Sequence, residues 1–174
     1  MKAIILTYAP VPESERELLK TTKIFKLALN NHAEEFNPNM RICSDYILSD
    51  ICQNFPQKVV SVRDRFRFTT DRVEYFPNFK GATILSGIEY LIFKGYDEIL
   101  IIGDNKVNTK EFQKRVNKHI EQVKEYASIY QYTNGNFDLP VKSISEFLNA
   151  VDVGFWDKNG EYKEDFQEVD SKEL

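Results

Sequence analysis

The sequence predicts an α/β fold in which a mostly parallel, doubly wound sheet carries helices on both faces. Two observations predict it. Short apolar runs that read as buried strands alternate along the chain with amphipathic segments that read as helices, the pattern of successive βαβ units. One complete unit of this kind lies in Lys80 to Asn105, KGATILSGIEYLIFKGYDEILIIGDN. There Ile84, Leu85, Ile88, Leu91 and Ile92 recur at helical spacing. Gly95 follows as a C-cap, because glycine enters the left-handed conformation without steric cost. Glu98 to Ile102 is then a continuous run of isoleucine and leucine, the mark of a strand covered on both faces.

The remaining elements follow in order. A first strand spans Lys2 to Thr7, apolar through Ala3, Ile4, Ile5 and Leu6. A Pro-containing loop, Tyr8 to Pro12, leads to a short helix over Ser14 to Lys20, where Ser14 and Glu17 have capping-box spacing. Lys23 to Leu29 is a second strand, ending at Asn30, Asn31 and His32. Glu34 to Phe36 form a short turn before Pro38. Met40 to Cys43 is a third strand, ending at Ser44 and Asp45, and Tyr46 to Asn54 is a helix stopped by Pro56. Lys58 to Val62 is a fourth strand. Arg63 to Phe79, rich in aromatics and arginines, reads either as a hairpin or as a loop. After the long helix near Ala82 and the Glu98 strand, Asn108 and Thr109 cap a helix over Lys110 to Tyr126 with a stripe of Phe112, Val116, Ile120 and Val123. Ser128 to Tyr132 is the last strand, followed by Thr133 to Asn136. Ser143 and Glu146 start a final helix through Ala150. Residues 1–156 thus read as one domain and 157–174 as an acidic, flexible tail.

Composition narrows the function classes. A chain of 174 residues with 42% hydrophobic content makes one domain with a substantial core. The net charge of -4 resides in the tail, where seven acids from Asp157 to Glu173 face three lysines, so the body is neutral. A neutral body argues against general nucleic-acid binding, which needs a phosphate-neutralising field. The apolar run Ala3 to Leu6 is too short for a signal peptide, and no stretch reaches the length of a membrane span. A cytoplasmic location is the expectation. Cys43 and Cys52 lack CxxC spacing and a nearby histidine, and read as buried thiols rather than metal ligands.

Polar clusters gather behind the strands: Asn30 and Asn31, Ser44 and Asp45, Asp104 and Asn105, Thr133 to Asn136. In a parallel sheet those ends share one edge, where ligands of open α/β sheets bind. Each cluster is equally a plain turn signal. The sequence holds no GxGxxG, Walker loop, nucleophile elbow or HExxH. Of the two histidines, His32 follows a strand end and can face a ligand, whereas His119, mid-helix between Lys118 and Ile120, reads as solvent-facing or at a helix border. Arg63, Arg65, Arg67 and Arg72 interleave with Phe66 and Phe68, but Asp64, Asp71 and Glu74 dilute their field, and an amphipathic edge strand is favoured over a phosphate or RNA site.

The segment ATILSGIEYLIFKGYDEILIIGDN resembles the sialyltransferase-like Rossmann folds of bacterial glycosyltransferase family 42 and the related motility-associated flagellin glycosyltransferases. The resemblance covers about Met1 to Ala150. It implies a single-domain Rossmann-like fold that binds a nucleotide or a CMP-sugar-type nucleotide-sugar, with no other cofactor and no metal. By that resemblance Thr83 takes the family's hydroxyl at a helix start, Lys80 its basic residue, and Asn30 a nucleotide-contacting asparagine. Tyr8 lies in the first loop, Asn105 follows the Gly-Asp strand, and Thr133 and Asn134 lie in a late nucleotide-holding loop. The departures are specific. The first loop keeps only Pro10 of the family's Asn-Gly-Pro-Ser, Lys106 to Asn108 leave almost no lid, and Thr109 stands where the family has a histidine base. His32 and Asp104 are the substitutes to consider. The expectation is a nucleotide-sugar binding domain, a minimal glycosyltransferase if active. The alternative is a non-catalytic interaction domain with a homo-oligomeric or other protein partner.

Overall fold

The computed structural model describes residues 1–7, 11–43, 47–62, 71–78, 81–103, 110–132, 137–152, 155–156 and 162–163, with side chains through 148. Its order is β1 (Lys2–Leu6), α1 (Glu13–Thr21), β2 (Phe25–Leu29), a 3-10 turn (Glu34–Phe36), β3 (Met40–Cys43), α2 (Leu48–Asn54), β4 (Lys58–Ser61) and β5 (Val73–Tyr75). There follow α3 (Thr83–Phe93), β6 (Glu98–Ile102), α4 (Lys110–Val123), β7 (Ser128–Gln131) and α5 (Ile144–Asp152). A short antiparallel pair, β8 (Phe155–Trp156) and β9 (Tyr162–Lys163), extends into the segment expected to be a flexible tail. No helix among the described residues is long and apolar enough to cross a membrane.

The main sheet has seven strands in the order β5-β4-β3-β2-β1-β6-β7. Every pairing in it is parallel. β1 sits between β2 and β6, with Ile5 opposite both Leu27 and Ile101. Because side chains alternate along a strand, each strand serves two cores. Ala3, Ile5, Leu27, Leu29, Ile42, Val60, Ile99 and Ile101 pack against α3 and α4 through Ile84, Leu85, Ile88, Val116 and Ile120. Ile4, Leu6, Ala28, Leu100 and Ile102 face the other way, against Leu19 of α1 and Ile144, Phe147 and Leu148 of α5. Cys43 and Val59 continue that second face beneath α2. This is the Rossmann-like α/β architecture that the alternation predicts.

Local chemistry explains where the boundaries fall. α3 ends in a Schellman motif: the Tyr96 N–H donates to the Leu91 carbonyl and the Gly95 N–H to that of Ile92, with Gly95 at φ 95°. At α5 the capping box forms as expected. The Ser143 N–H donates to Glu146 Oε1 at 2.8 Å, and the Glu146 N–H to Ser143 Oγ at 3.0 Å. At α1 it does not form. The Pro12 carbonyl already accepts from the Glu15 and Arg16 amides, so the helix starts at Glu13, ahead of Ser14. The second strand begins at Phe25 rather than Lys23, because the Ile24 N–H is held by Thr22 Oγ1 in a local turn. Within the ambiguous Arg63–Phe79 stretch, Val73–Tyr75 pair parallel with Val59–Ser61, which excludes a hairpin with β4.

Two buried cations organise the second face. Arg41, mid-strand on β3, is fully buried. Its guanidinium donates to the carbonyls of Asn30 (3.0 Å) and His32 (2.6 Å), to Gln57 Oε1 (3.1 Å) and to Glu34 Oε1. It lies over the Phe55 ring at 3.9 Å. Lys26, also buried, donates from Nζ to the Leu19 and Lys20 carbonyls and so closes the C-terminus of α1.

Three outcomes follow from this packing. Arg41→Met leaves two part-buried carbonyls and Gln57 without their donor and costs about 1–3 kcal/mol for each carbonyl. Glu34 is 45% exposed, and a glutamine there keeps an oxygen that accepts from Arg41, so Glu34→Gln costs less than about 1.5 kcal/mol. Urea unfolding checks the pair, and equal losses would contradict the assignment. Gly87 is the second case. A Cβ there meets Leu29, Leu27 and Ile5 methyls at 3.5–3.7 Å, ordinary contact distance in a helix interior. Gly87→Ala is therefore stabilising by roughly 0.5–1 kcal/mol, read as a higher unfolding midpoint.

The third is pH-dependent. Burial pushes the Lys26 ammonium down to about 8 from its ordinary 10.5. Between those values the folded chain binds fewer protons than the unfolded one, so stability rises with pH across the window. The burial cost is fully present below pH 8 and is relieved by pH 10.5. Wild type therefore gains on Lys26→Met across the window, by on the order of 3 kcal/mol. Tyr90, Tyr96 and Tyr132, raised by burial, titrate in both proteins and drop out of the difference. Denaturation at the two ends of the window measures the gap, and a constant gap would refute the linkage.

Candidate functional site

The order β2-β1-β6 reverses the direction of chain progression, since β1 to β5 advance one way and β6 and β7 the other. Such a switch point, at the carboxyl ends of parallel strands, leaves a crevice because the connections leave it on opposite sides. Here the Thr7 N–H donates to the Ile102 carbonyl at 2.9 Å, holding the ends of β1 and β6 together, and Gly103 follows at φ 104°.

Asn30 stands at the carboxyl end of β2, next to the switch point, in the left-handed conformation at φ 54°. Asparagine tolerates this conformation better than most residues. Its N–H donates to the Ile42 carbonyl, and its own carbonyl accepts from Arg41. Its side-chain Oδ1 is buried and has no hydrogen-bond partner among the described residues. A buried acceptor in that condition costs about 1–3 kcal/mol and calls for a reason. His32 lies two residues on, with its N–H on the Leu29 carbonyl. Burial, and then the charge of Arg41, push its imidazole below the ordinary value, which keeps it neutral at pH 7.

α3 begins at the same edge. Gly87 packs on Leu29, Leu27 and Ile5, and Thr83, the first residue of the helix, lies one turn nearer the carboxyl ends of those strands. The N-cap, Ala82, supplies no side-chain cap; its carbonyl takes the Leu85 amide, which leaves those of Thr83 and Ile84 uncapped among the described residues. Arg115 of α4 reaches this turn. Its Nη2 is 3.4 Å from the Gly81 carbonyl, and Gly81 takes φ 90° while leaving room for the guanidinium at 3.6 Å from where a Cβ would stand. A side chain at Gly81 would strain that backbone. A helix N-terminus flanked by a hydroxyl and a guanidinium is an arrangement suited to a phosphate.

Sequence reasoning named Thr83 and Asn30 but missed Arg115. Its signal was masked: Arg115 follows Glu111 by four residues, the spacing of an ordinary ion pair on a helix surface. Tyr8, Lys80, Asp104, Asn105, Thr133 and Asn134 lie outside the described residues, as do Thr109 and Arg63 to Arg67. Arg72 is described and serves the fold, donating to the Cys52, Phe55 and Gln57 carbonyls around the end of α2. No cluster of three or more metal-ligating side chains occurs among the described residues.

Of the two placements expected for His119, the helix border is the one it takes. It is buried, not solvent-facing, and its Nε2 is 3.0 Å from Glu89 Oε2 across the α3–α4 interface. The reason is the angular position of His119, one residue before Ile120 and three after Val116, which turns it onto the border of the apolar stripe.

No protein-family model matches the chain, and comparison with curated proteins and with solved structures gives no match, so the likeness to glycosyltransferase family 42 rests on the residues quoted for it.

Proposed function

We propose that this chain binds a nucleotide or a CMP-sugar-type nucleotide-sugar at the carboxyl edge of its sheet. The observation that carries the reading is the anion-ready start of α3, with Thr83 and Arg115 beside it, at the edge where the strand order reverses. The phosphate is anchored by first-turn amides, the Thr83 hydroxyl and the Arg115 guanidinium. The Asn30 Oδ1, without a partner among the described residues, accepts a hydrogen bond from the nucleoside. In a transferase the same anchor offsets charge as the nucleoside monophosphate leaves the sugar. His32, neutral at pH 7, is the described group suited to take the acceptor's proton. Catalysis by this chain alone or with a partner is the second step of the proposal, and binding is the first.

Calorimetric titration with CMP and a CMP-sugar tests it. Thr83→Ala removes a hydrogen bond to a charged group and is expected to weaken binding by about 1.5–3 kcal/mol, or roughly one to two orders of magnitude. For Asn30 the informative change is Asn30→Gly, which drops the carboxamide while keeping φ 54° accessible. It is expected to cost about 0.5–1.5 kcal/mol. Lack of binding by wild type at millimolar ligand would remove the nucleotide reading and leave the interaction domain in its place.

A further inference from the structure

The segment Phe76–Asn78, which follows β5, and the second half of α4 flank the outer face of α3 and line an open cavity of about 600 Å³. This lies within the range of small-molecule sites. Phe76, Ile92, Phe93 and Tyr126 supply its apolar wall, while Glu89 and His119 supply its polar pole. Phe93 and Tyr126 are 68% and 62% exposed, an unusual state for large aromatic residues that both border one concavity. Glu89 keeps a quarter of its side chain exposed although it sits 3.0 Å from His119.

The charge of the lining selects a ligand class. It contains one carboxylate and no lysine or arginine. An anionic ligand would meet Glu89, whose one basic neighbour in the lining is His119, at 3.0 Å. A cation gains from Glu89 and from the negative faces of the aromatic rings. The outer side of this wall already holds one: Lys94, paired with Glu74, places its ammonium 5.8 Å from the Phe93 ring centroid and 5.4 Å from that of Tyr90. We propose that the α3–α4 cavity binds a small organic cation, an amine or quaternary ammonium carried on an aromatic or apolar body. The body packs on Phe76, Phe93 and Tyr126, and the cation lies at Glu89. This site is separate from the nucleotide site, whose anchors Thr83 and Arg115 lie in the first halves of the same two helices.

The test uses the full chain and a matched ligand series followed by NMR titration: phenethylamine, benzyltrimethylammonium, the neutral 2-phenylethanol and the anionic phenylacetate. The two cations are expected to bind with shifts confined to α3, α4 and residues 76–78, the alcohol at least tenfold more weakly, and phenylacetate not at all. Glu89→Gln, which keeps the shape and removes the charge, is expected to weaken the cations about tenfold while leaving the alcohol unchanged. Phe93→Ala, at an exposed position that spares the fold, is expected to weaken all binders. Equal binding of phenylacetate and the cations, no binding of either cation at 10 mM on the order of a weak ligand's limit, or Glu89→Gln without effect would each overturn the proposal. CMP added at saturation should leave the cation affinity unchanged, so failure at one site is distinguishable from failure at the other.

Discussion

The connection between β2 and β3 depends on one guanidinium. Arg41 arises from the middle of a strand whose neighbours, Ala28 and Val59, are fully buried, and a charge there is tolerable only if each guanidinium nitrogen finds an acceptor. The chain meets that demand by curling residues 30–37 back over the strand, so that two carbonyls, Glu34 and Gln57 converge on it. Three left-handed residues, Asn30, Ala33 and Asn37, make the curl. For Ala33 that conformation is unfavourable by about 1–2 kcal/mol, a cost that the charge-assisted hydrogen bonds of Arg41 exceed. Asn30 therefore stands where it does because of Arg41. The orientation of a candidate ligand contact is set by a buried cation on the next strand.

The sheet topology then fixes what surrounds Asn30. All-parallel pairing requires each connection to return along the sheet, so α3 and α4 both start at the carboxyl edge and end at the amino edge. β1 lies at the reversal of strand order, paired on both sides and covered on both faces. That central strand contributes Ala3 and Ile5 to one core and Ile4 and Leu6 to the other, and so couples the two helical layers.

What could be read from the sequence tracks how local the determining physics is. β3 and β6 match their predicted spans residue for residue; β6 is the near-continuous apolar run of a buried parallel strand, whereas β3 carries Arg41 between Met40 and Ile42 and is bounded by Asn39 and Ser44. Two sites with the same capping-box spacing had opposite outcomes. At Ser143 nothing competes for the helix start, whereas at Ser14 the Pro12 carbonyl takes the first helical bonds. β5 was illegible: three half-buried residues at a sheet edge carry almost no apolar signal. The Arg41 network joins residues 7, 9, 11 and 16 positions from the arginine, a pattern that periodicity does not encode. His119 was legible as a border residue, but its partner was not, because Glu89 lies on another helix. For the candidate site, the placement of Asn30 after a strand and Thr83 at a helix start was legible, while the approach of Arg115 to Gly81 depends on how α3 and α4 pack.

That packing also separates charge preferences along the two helices. Their first turns lie at the carboxyl edge, where amide groups favour an anion, and their last turns point the opposite way, where carbonyls favour a cation. The macrodipole contributes about 0.3–1 kcal/mol within a turn of each end, and Glu89 lies beyond that reach of the α3 terminus. Side chains therefore decide the matter. Arg115 reinforces the anionic preference at the helix starts, and Glu89 with the aromatic wall reinforces the cationic one further along. A charge-assisted hydrogen bond is worth about 1.5–3 kcal/mol, more than either dipole term. Exchanging these two side-chain charges would thus outweigh the helix polarity, and the preference at each end belongs to residues that can be changed one at a time without altering the fold's direction.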